Sequence, residues 1–327
     1  MTCMETSSAP VVSVCIPTYN YSRYIRDAIQ SVRSQTFRNL EIIIIDDCST
    51  DNTYEKVREL MTLDDRIRYV MNKVRLGFAG NFAKCVELAT GEFVKIVCAD
   101  DVIEPTCVEK MVKAMKDHEQ VTLAASSRRL SDSMLQPIGE LGYATQFIVQ
   151  NGSEAARRCF FKGNLIGEPT AVMFRKNVAE RGFNTDYSQL VDLEMWLHLL
   201  EKGDFLFVPE KLCTVRQHEG QATHDCMKTL AFVSDLDKLH REYMYKPYMR
   251  NSLLNAIRWR LSTVFVIWAQ RKTAIDPHLI RQSINRYMNY NIAVLIMPAY
   301  FMLTRLTRFV RGGLGSRFSV PRPQPSR

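Results

Sequence analysis

One recurring phrase constrains the fold more than any other feature. An apolar, largely β-branched run ends abruptly in polar residues, and a helical pattern follows. Val11–Ile16 runs into Pro17-Thr18-Tyr19-Asn20, Leu40–Ile45 into Asp46-Asp47-Cys48-Ser49-Thr50-Asp51, and Phe93–Ala99 into Asp100-Asp101. Behind the first run, Tyr24, Ile25, Ala28, Ile29 and Val32 recur at helical spacing. Ser49, Thr50 or Asp51 can cap a second helix whose Val57, Leu60 and Met61 face inward. Phe78–Leu88 reads as a third helix, and Pro105 suits the first turn of a fourth reaching about Lys116. Ile67–Met71 and Val121–Ser126 are further strands. Strands apolar on both faces and alternating with helices predict an α/β fold with a mostly parallel central sheet covered on each side. Ligands of such sheets bind beyond the carboxyl ends of the strands. All three polar clusters fall there.

The second half is less regular. Arg128–Asn151 has no clear period and reads as a loop or a strand meander. Ser153 or Glu154 opens a helix through Phe161, and Ala171–Phe174 is a short strand. Leu190–Leu200 is helical, with Leu193, Trp196, Leu197 and Leu200 on one face, and Trp196 reads as packing. Phe205–Val208 is a strand, and Cys213–Gln217 leads to His218. From about Ala231 the chain reads as helical. The expected organisation is a disordered residue 1–9 segment, an α/β domain over 10–225, a helical region over 226–311, and a disordered basic tail over 312–327.

Net charge is +8, which invites a nucleic-acid or anionic-membrane reading. Its distribution redirects that reading: residues 271–327 hold ten Lys/Arg and one acid, Asp276, leaving the first 270 residues at −1. The aromatic residues there are not interleaved with Lys/Arg as in a nucleic-acid-binding module, so no nucleic acid is expected as a partner. Nine cysteines are scattered without any CxxC pair, which speaks against a zinc site or disulfide framework and for a reducing cytoplasm. Met1–Pro10 has neither a basic nor an apolar stretch of the secretory kind. The longest apolar run, Ile292–Leu303, is 12 residues with Pro298 inside, short of the about 20 that span a bilayer.

Two adjacent carboxylates at a strand end repel unless a cation is shared. Asp100-Asp101 is therefore a candidate for a hard divalent ion such as Mg²⁺ or Mn²⁺, which takes one or two carboxylates together with phosphate oxygens. The competing reading makes one Asp the cap of the helix near Pro105; Asp46-Asp47 has a similar competitor as a turn feeding Ser49–Asp51. No GxGxxG follows the first strand and no GxxxxGK[ST] occurs, so a Rossmann dehydrogenase and a P-loop enzyme are disfavoured.

The motif order goes further. VVSVCIPTYN at 11–20, LEIIIIDDCSTD at 40–51, and Gly91-Glu92-Phe93 leading to Asp100-Asp101 resemble family 2 glycosyltransferases. The resemblance covers about residues 10–225 and extends to EPTAVMFR at 168–175, DLEMWL at 192–197 and VRQH at 215–218. It implies the GT-A fold, a nucleotide-sugar-binding α/β domain acting with inversion at the anomeric carbon. It implies that Pro17, Thr18 and Tyr19 line the base and ribose pocket, and that Asp46 or Asp47 binds the base. Asp100 would lie near the ribose or sugar, and Asp101 would hold the divalent metal, with Arg216 and His218 closing over the diphosphate and His218 joining the metal side. Asp192 matches the general base, with Glu194 a rival two residues on. Cys98 stands where many members have an acid. Gly80 replaces an Arg often seen before the residue matching Asn81, itself a donor-side candidate, and Arg75 is placed to supply the missing charge.

The expected partners are a nucleotide-diphosphate sugar, UDP-linked, and a glycan or lipid-linked acceptor. A second copy of the chain is also entertained. Residues 298–311 predict a helix beginning at Pro298, with Ala299, Met302, Leu303, Leu306, Phe309 and Val310 opposite Arg305, Arg308 and Arg311. Such a basic amphipathic helix suits an anionic membrane surface, here the inner face of the cytoplasmic membrane. The competing classes are a nucleotidyltransferase-like sugar-nucleotide enzyme and an anionic-polymer-binding protein using the tail.

Overall fold

The computed structural model describes residues 9–221, 229–249, 252–272 and 276–310. The expectations of disorder at the two ends fall on residues 1–8 and 312–327, outside the described residues. The strands are β1 (Val12–Thr18), β2 (Leu40–Asp46), β3 (Ile67–Met71), β4 (Phe93–Ile96), β5 (Val102–Ile103), β6 (Val121–Ser131), β7 (Pro137–Leu141), β8 (Ile148–Gln150), β9 (Val172–Arg175) and β10 (Asp204–Arg216). The α-helices are α1 (Ile25–Arg33), α2 (Thr53–Met61), α3 (Gly77–Leu88), α4 (Cys107–Lys116), α5 (Gly152–Lys162), α6 (Val191–Leu200), α7 (Phe232–Tyr243), α8 (Leu253–Ala269), α9 (Pro277–Asn285) and α10 (Tyr290–Val310).

The strands form one sheet in the order β3-β2-β1-β4-β9-β6-β10-β5, with β7 beside β6 and β8 beside β10. β3, β2, β1 and β4 are mutually parallel, and β9 runs antiparallel to both β4 and β6. β10 is parallel to β6, so six strands share one direction. This is the mixed, mostly parallel sheet expected of an α/β chain. Along β1 the alternation divides two cores. Val12, Val14 and Ile16 pack with Ile25 and Ile29 of α1, Val57 of α2 and Met111 of α4. Cys15 joins Ile43 and Ile45 of β2, Phe82 of α3 and Trp196 of α6 on the other face. Gly91 brings the turn before β4 onto β1: a Cβ there would lie 2.7 Å from the Ser13 backbone nitrogen.

Several local expectations change. The aperiodic stretch after residue 128 is a strand meander, with β6 running on to Ser131 before β7 and β8. The two strands expected at 205–208 and 213–217 are one strand, β10, with register shifts between Val208 and Lys211 and between Lys211 and Cys213. Pro209-Glu210 lies at that irregularity. Helix α10 begins eight residues before Pro298 and carries the proline inside it. An interior proline costs about 3 kcal/mol, but Ala293 and Met297 are fully buried against the other C-terminal helices, and that packing holds the turn before it. The side chains of residues 303–311, which define the expected basic face, lie outside the described residues. No helix among the described residues is long and apolar enough to cross a membrane.

Packing does not stop at residue 225. Leu239 and Tyr243 of α7 and Trp259 of α8 belong to the same apolar cluster as Trp196 and Leu197 of α6. Beyond them Val264, Ile267, Ile280 and Ile284 build a smaller core with Phe232 and Val233. The helical region thus begins as an extension of the α/β core.

Candidate active site

Register brings the polar strand ends together. Thr18 pairs with Asp46, the Asp47 amide donates to Thr18 O, and the Val97 amide donates to Cys15 O as the chain leaves β4. Asn20 and Cys48 adopt left-handed backbone conformations, φ 58° and 66°, where the loops turn away from β1 and β2. Asn20 accepts from the Thr50 amide at 2.8 Å and its own amide donates to Ser49 Oγ, tying those loops to each other.

The first two clusters build the floor of one side. Pro17 and Thr18 are buried, and the Thr18 hydroxyl has no hydrogen-bond partner. Tyr19 is half-buried, with the exposed Arg75 guanidinium 3.8 Å from its ring centre. Asp46 accepts from the Ser49 amide and from the Tyr69 hydroxyl, each at 2.7 Å. Asp47 accepts from Asn72 and from the Leu76 and Gly77 amides that start α3. Asn81, buried on α3, donates to Ile45 O at 3.1 Å and accepts from Asn72. Both carboxylates therefore have the turn-forming duty that competed with base binding, and Asn81 ties α3 to the ends of β1 and β2.

The third cluster is chemically different. Asp100 and Asp101 do not cap α4, whose cap position is Thr106. Asp101, 2% exposed, accepts from the Thr170 hydroxyl at 2.5 Å and from the Arg216 amide at 2.9 Å. His218 Nε2 lies 3.1 Å from Asp100 Oδ2, and its ring packs on Tyr24 with centroids 4.8 Å apart. His218 thus meets the pair through Asp100. Arg216 is a strut: it donates to Asp100 O at 2.8 Å, to Ser133 O and to Asp27 at 2.9 Å, and it lies over Tyr24. Its guanidinium is 4% exposed as a side chain, so the positive group expected over a diphosphate is turned inward to hold the aspartate loop.

Cys98 Sγ and one oxygen each of Asp100 and Asp101 lie within 4.8 Å of one another. Burial, then the adjacent Asp100 charge, pushes Asp101 well above the usual carboxylate range. Burial and the Asp101 and Asp100 charges push the Cys98 thiol up as well, and the Tyr21 hydroxyl beside them is raised by burial and Asp100. Closely set carboxylates held against their own repulsion fit a divalent cation, which would remove the strain and leave the thiol a neutral neighbour. The two hard carboxylate oxygens suit Mg²⁺ or Mn²⁺, and the soft, protonated Cys98 thiol adds no ligand for either.

Asp192 opens α6. It accepts from Asn164 Nδ2 at 2.8 Å and from the Leu193 amide at 2.7 Å. Burial, partly offset by the Leu193 amide, pushes its pKa up to about 6, and the charge of Glu168 adds to the rise. Glu168 also acts on Asp101 and Cys98, so the segment 164–170 runs between the metal corner and Asp192. Its geometry needs Gly167, which has φ +123° and would set a Cβ 2.7 Å from the buried Arg128 guanidinium, the ion-pair partner of Glu168. Glu194 faces away: it is fully buried in a bidentate pair with Arg181 at 2.8–2.9 Å and accepts from Tyr243 at 2.7 Å. Trp196 is core, donating to Gly167 O at 3.0 Å.

Sequence reasoning missed Asn164 and the role of Thr170. The only available signal was the EPT stretch, noticed as a motif without assigned roles. The described cysteines are all free thiols, as expected.

Comparison with known proteins bears on the family and the fold. The profile described as Glycosyl transferase family 2 matches residues 13–183. A Haemophilus influenzae protein described as an uncharacterized glycosyltransferase is 32% identical over 224 residues, 66% of this chain and 68% of that one. The fold is similar to that of S. aureus TarS 1-349 in complex with UDP-GlcNAc, with a TM-score of 0.58, 15% identity, and coverage of 95% and 98% of the two chains. It is also similar to that of the mannosyltransferase PcManGT from Pyrobaculum calidifontis in complex with GDP-Man and Mn²⁺, with a TM-score of 0.59, 18% identity, and coverage of 94% and 89%.

Proposed function

The chain belongs to glycosyl transferase family 2 and is a transferase of GT-A fold, and from that premise we propose that it moves a sugar from a nucleotide-diphosphate sugar to an acceptor hydroxyl with inversion. The observation that carries this reading is a cation-ready corner at Cys98, Asp100 and Asp101 joined through Thr170 and Asn164 of one segment to a carboxylate at Asp192 raised to about 6. The donor is UDP-linked, a choice supported by the bound UDP-GlcNAc of the TarS complex. Tyr19 and Arg75 flank the base, with Pro17, Thr18 and one of Asp46 and Asp47 around it.

Displacement at an anomeric carbon passes through an oxocarbenium-like transition state while negative charge grows on the leaving diphosphate. A divalent cation held by Asp101 and Asp100 supplies charge neutralisation at that diphosphate when bound. His218 orients Asp100, and Arg216 fixes the loop that carries both carboxylates. Asp192 Oδ2 takes the proton of the acceptor hydroxyl on the opposite side of the sugar, while Asn164 holds the carboxylate in place. With a pKa about 6, Asp192 is ionised at neutral pH yet basic enough to accept that proton.

The acceptor is a glycan or lipid-linked carrier in bacterial surface polysaccharide assembly, worked on at the inner face of the cytoplasmic membrane. The +9 charge of residues 271–327 supports membrane contact, as do Leu253, Leu254, Ile292 and Leu295, all more than half exposed on α8 and α10. The test is a screen of UDP-GlcNAc, UDP-glucose, UDP-galactose and GDP-mannose for hydrolysis with and without Mn²⁺. Metal-dependent release of UDP from one donor supports the reading. The absence of metal-dependent nucleotide release from all four donors sinks it.

A further inference from the structure

The amides that precede α6 have no local acceptor. The cap position, Leu190, offers no side-chain hydrogen bond, and the Ser188 hydroxyl donates instead to Asp235 at 3.4 Å. Of these amides, that of Leu190 is one of the N–H groups a helix start leaves unsatisfied, at the end where positive potential concentrates. The acceptor comes from 45 residues further on. Asp235 Oδ2 on α7 receives the amides of Ser188 at 2.9 Å, Gln189 at 2.6 Å and Leu190 at 3.0 Å. Asp235 is 1% exposed, and its nearest cation is Lys238, at 3.8 Å from Oδ1. Three charge-assisted amide bonds, with the Ser188 hydroxyl as a fourth donor, converge on one oxygen and fix both where α6 begins and the direction in which its first turn points.

We propose that Asp235 is a positioning residue for Asp192: by collecting the 188–190 amides it sets the start of α6, so that Asp192 meets Asn164 and faces the cleft. This rests on the reading of Asp192 as general base. It assigns α7, outside the segment where sequence motifs lie, a part in catalysis. The charged groups around that turn are Glu168 with Arg128, Glu194 with Arg181, and Asp235 with Lys238. Of these, Asp235 alone bonds the amides leading into the helix, and a negative charge there opposes the positive helix end beside Asp192.

The test uses the full chain and the nucleotide sugar hydrolysed fastest in the screen above. Asp235→Asn is expected to lower kcat at least tenfold, with donor affinity by calorimetry unchanged within about twofold. It also leaves the helix end uncompensated, so the acidic limb of the pH–rate profile moves about half a unit below its wild-type position. Asp235→Glu retains the charge, so its limb stays in place while kcat falls several-fold; it carries the test if Asp235→Asn does not fold. Tyr243→Phe removes another anchor of α7 and is expected to lower Tm without moving the limb. A wild-type kcat and limb in both Asp235 variants would overturn the proposal. So would a loss of donor affinity and Tm with no shift of the limb, which marks a folding role only. If Asp192→Asn itself keeps full turnover, the base assignment fails, and that result is distinct from either of these.

Discussion

Asp192 and Glu194 stand two positions apart on one helix and occupy opposite environments. Asp192 is partly exposed and meets Asn164, and Glu194 is sealed behind the helix in a pair with Arg181. Residues i and i+2 point to different faces, and here the difference separates the proposed proton acceptor from a structural anion.

Asp192→Asn is expected to reduce turnover by about 10²–10⁴-fold, the usual contribution of a general base. Donor affinity should survive, because the side chain faces the acceptor side. Steady-state rates with parallel calorimetry check both halves. Wild-type turnover in the variant removes Asp192 from the mechanism.

The same residue sets a pH dependence. With its pKa about 6, the rate should follow a limb centred near pH 6 and fall about tenfold per unit below it. Stability moves the other way. The folded pKa lies above the ordinary 3.8, so the folded state holds the extra proton and loses stability as pH rises from about 4 to about 6. Asp192→Asn abolishes that loss, so its Tm relative to wild type should climb across this window. A constant difference would contradict the buried-charge account.

Glu194→Gln is expected to behave as a stability variant. Breaking a buried pair by removing one partner costs about 3–5 kcal/mol, reduced here because Arg181 is partly exposed. Denaturant titration should show a clear drop, with kcat per folded molecule within about threefold of wild type. A hundredfold loss of kcat at full folding would restore Glu194 as the base.

Asp101→Asn should weaken the metal-dependent part of donor binding by at least tenfold, leaving whatever affinity remains in chelator. Calorimetry of UDP binding with and without Mn²⁺ separates the two. An unchanged Mn²⁺ effect would move the cation elsewhere.

Arg75→Ala tests the nucleotide side. A cation–π contact at an exposed site is worth about 0.5–1 kcal/mol, so the Kd for UDP should rise about two- to fivefold with kcat unchanged. If affinity is unaltered, the Arg75–Tyr19 stack lies outside the nucleotide site.

The strand ends were legible because abrupt polarity after β-branched runs is a local signal, and register then forces Thr18 beside Asp46. Which way each side chain turns was not. In sequence Arg216 reads as a group closing over the diphosphate, yet its guanidinium is captured by Asp27, a contact spanning 189 positions. Thr170 and Asn164 looked unremarkable because their partners, Asp101 and Asp192, are 69 and 28 positions away. Asp235 carried no motif at all. Its meaning lies in three backbone amides, which leave no mark on composition or periodicity.

The shared direction of six strands has a practical corollary. The chemistry gathers at one rim, while the turn Thr90-Gly91-Glu92 closes the opposite rim against the start of β1, about 20 Å away along a seven-residue strand. An immobilisation handle or fluorescent label belongs on that far rim, at the exposed Thr90 or Glu92. The molecule can be held from behind while its working edge stays open to substrates.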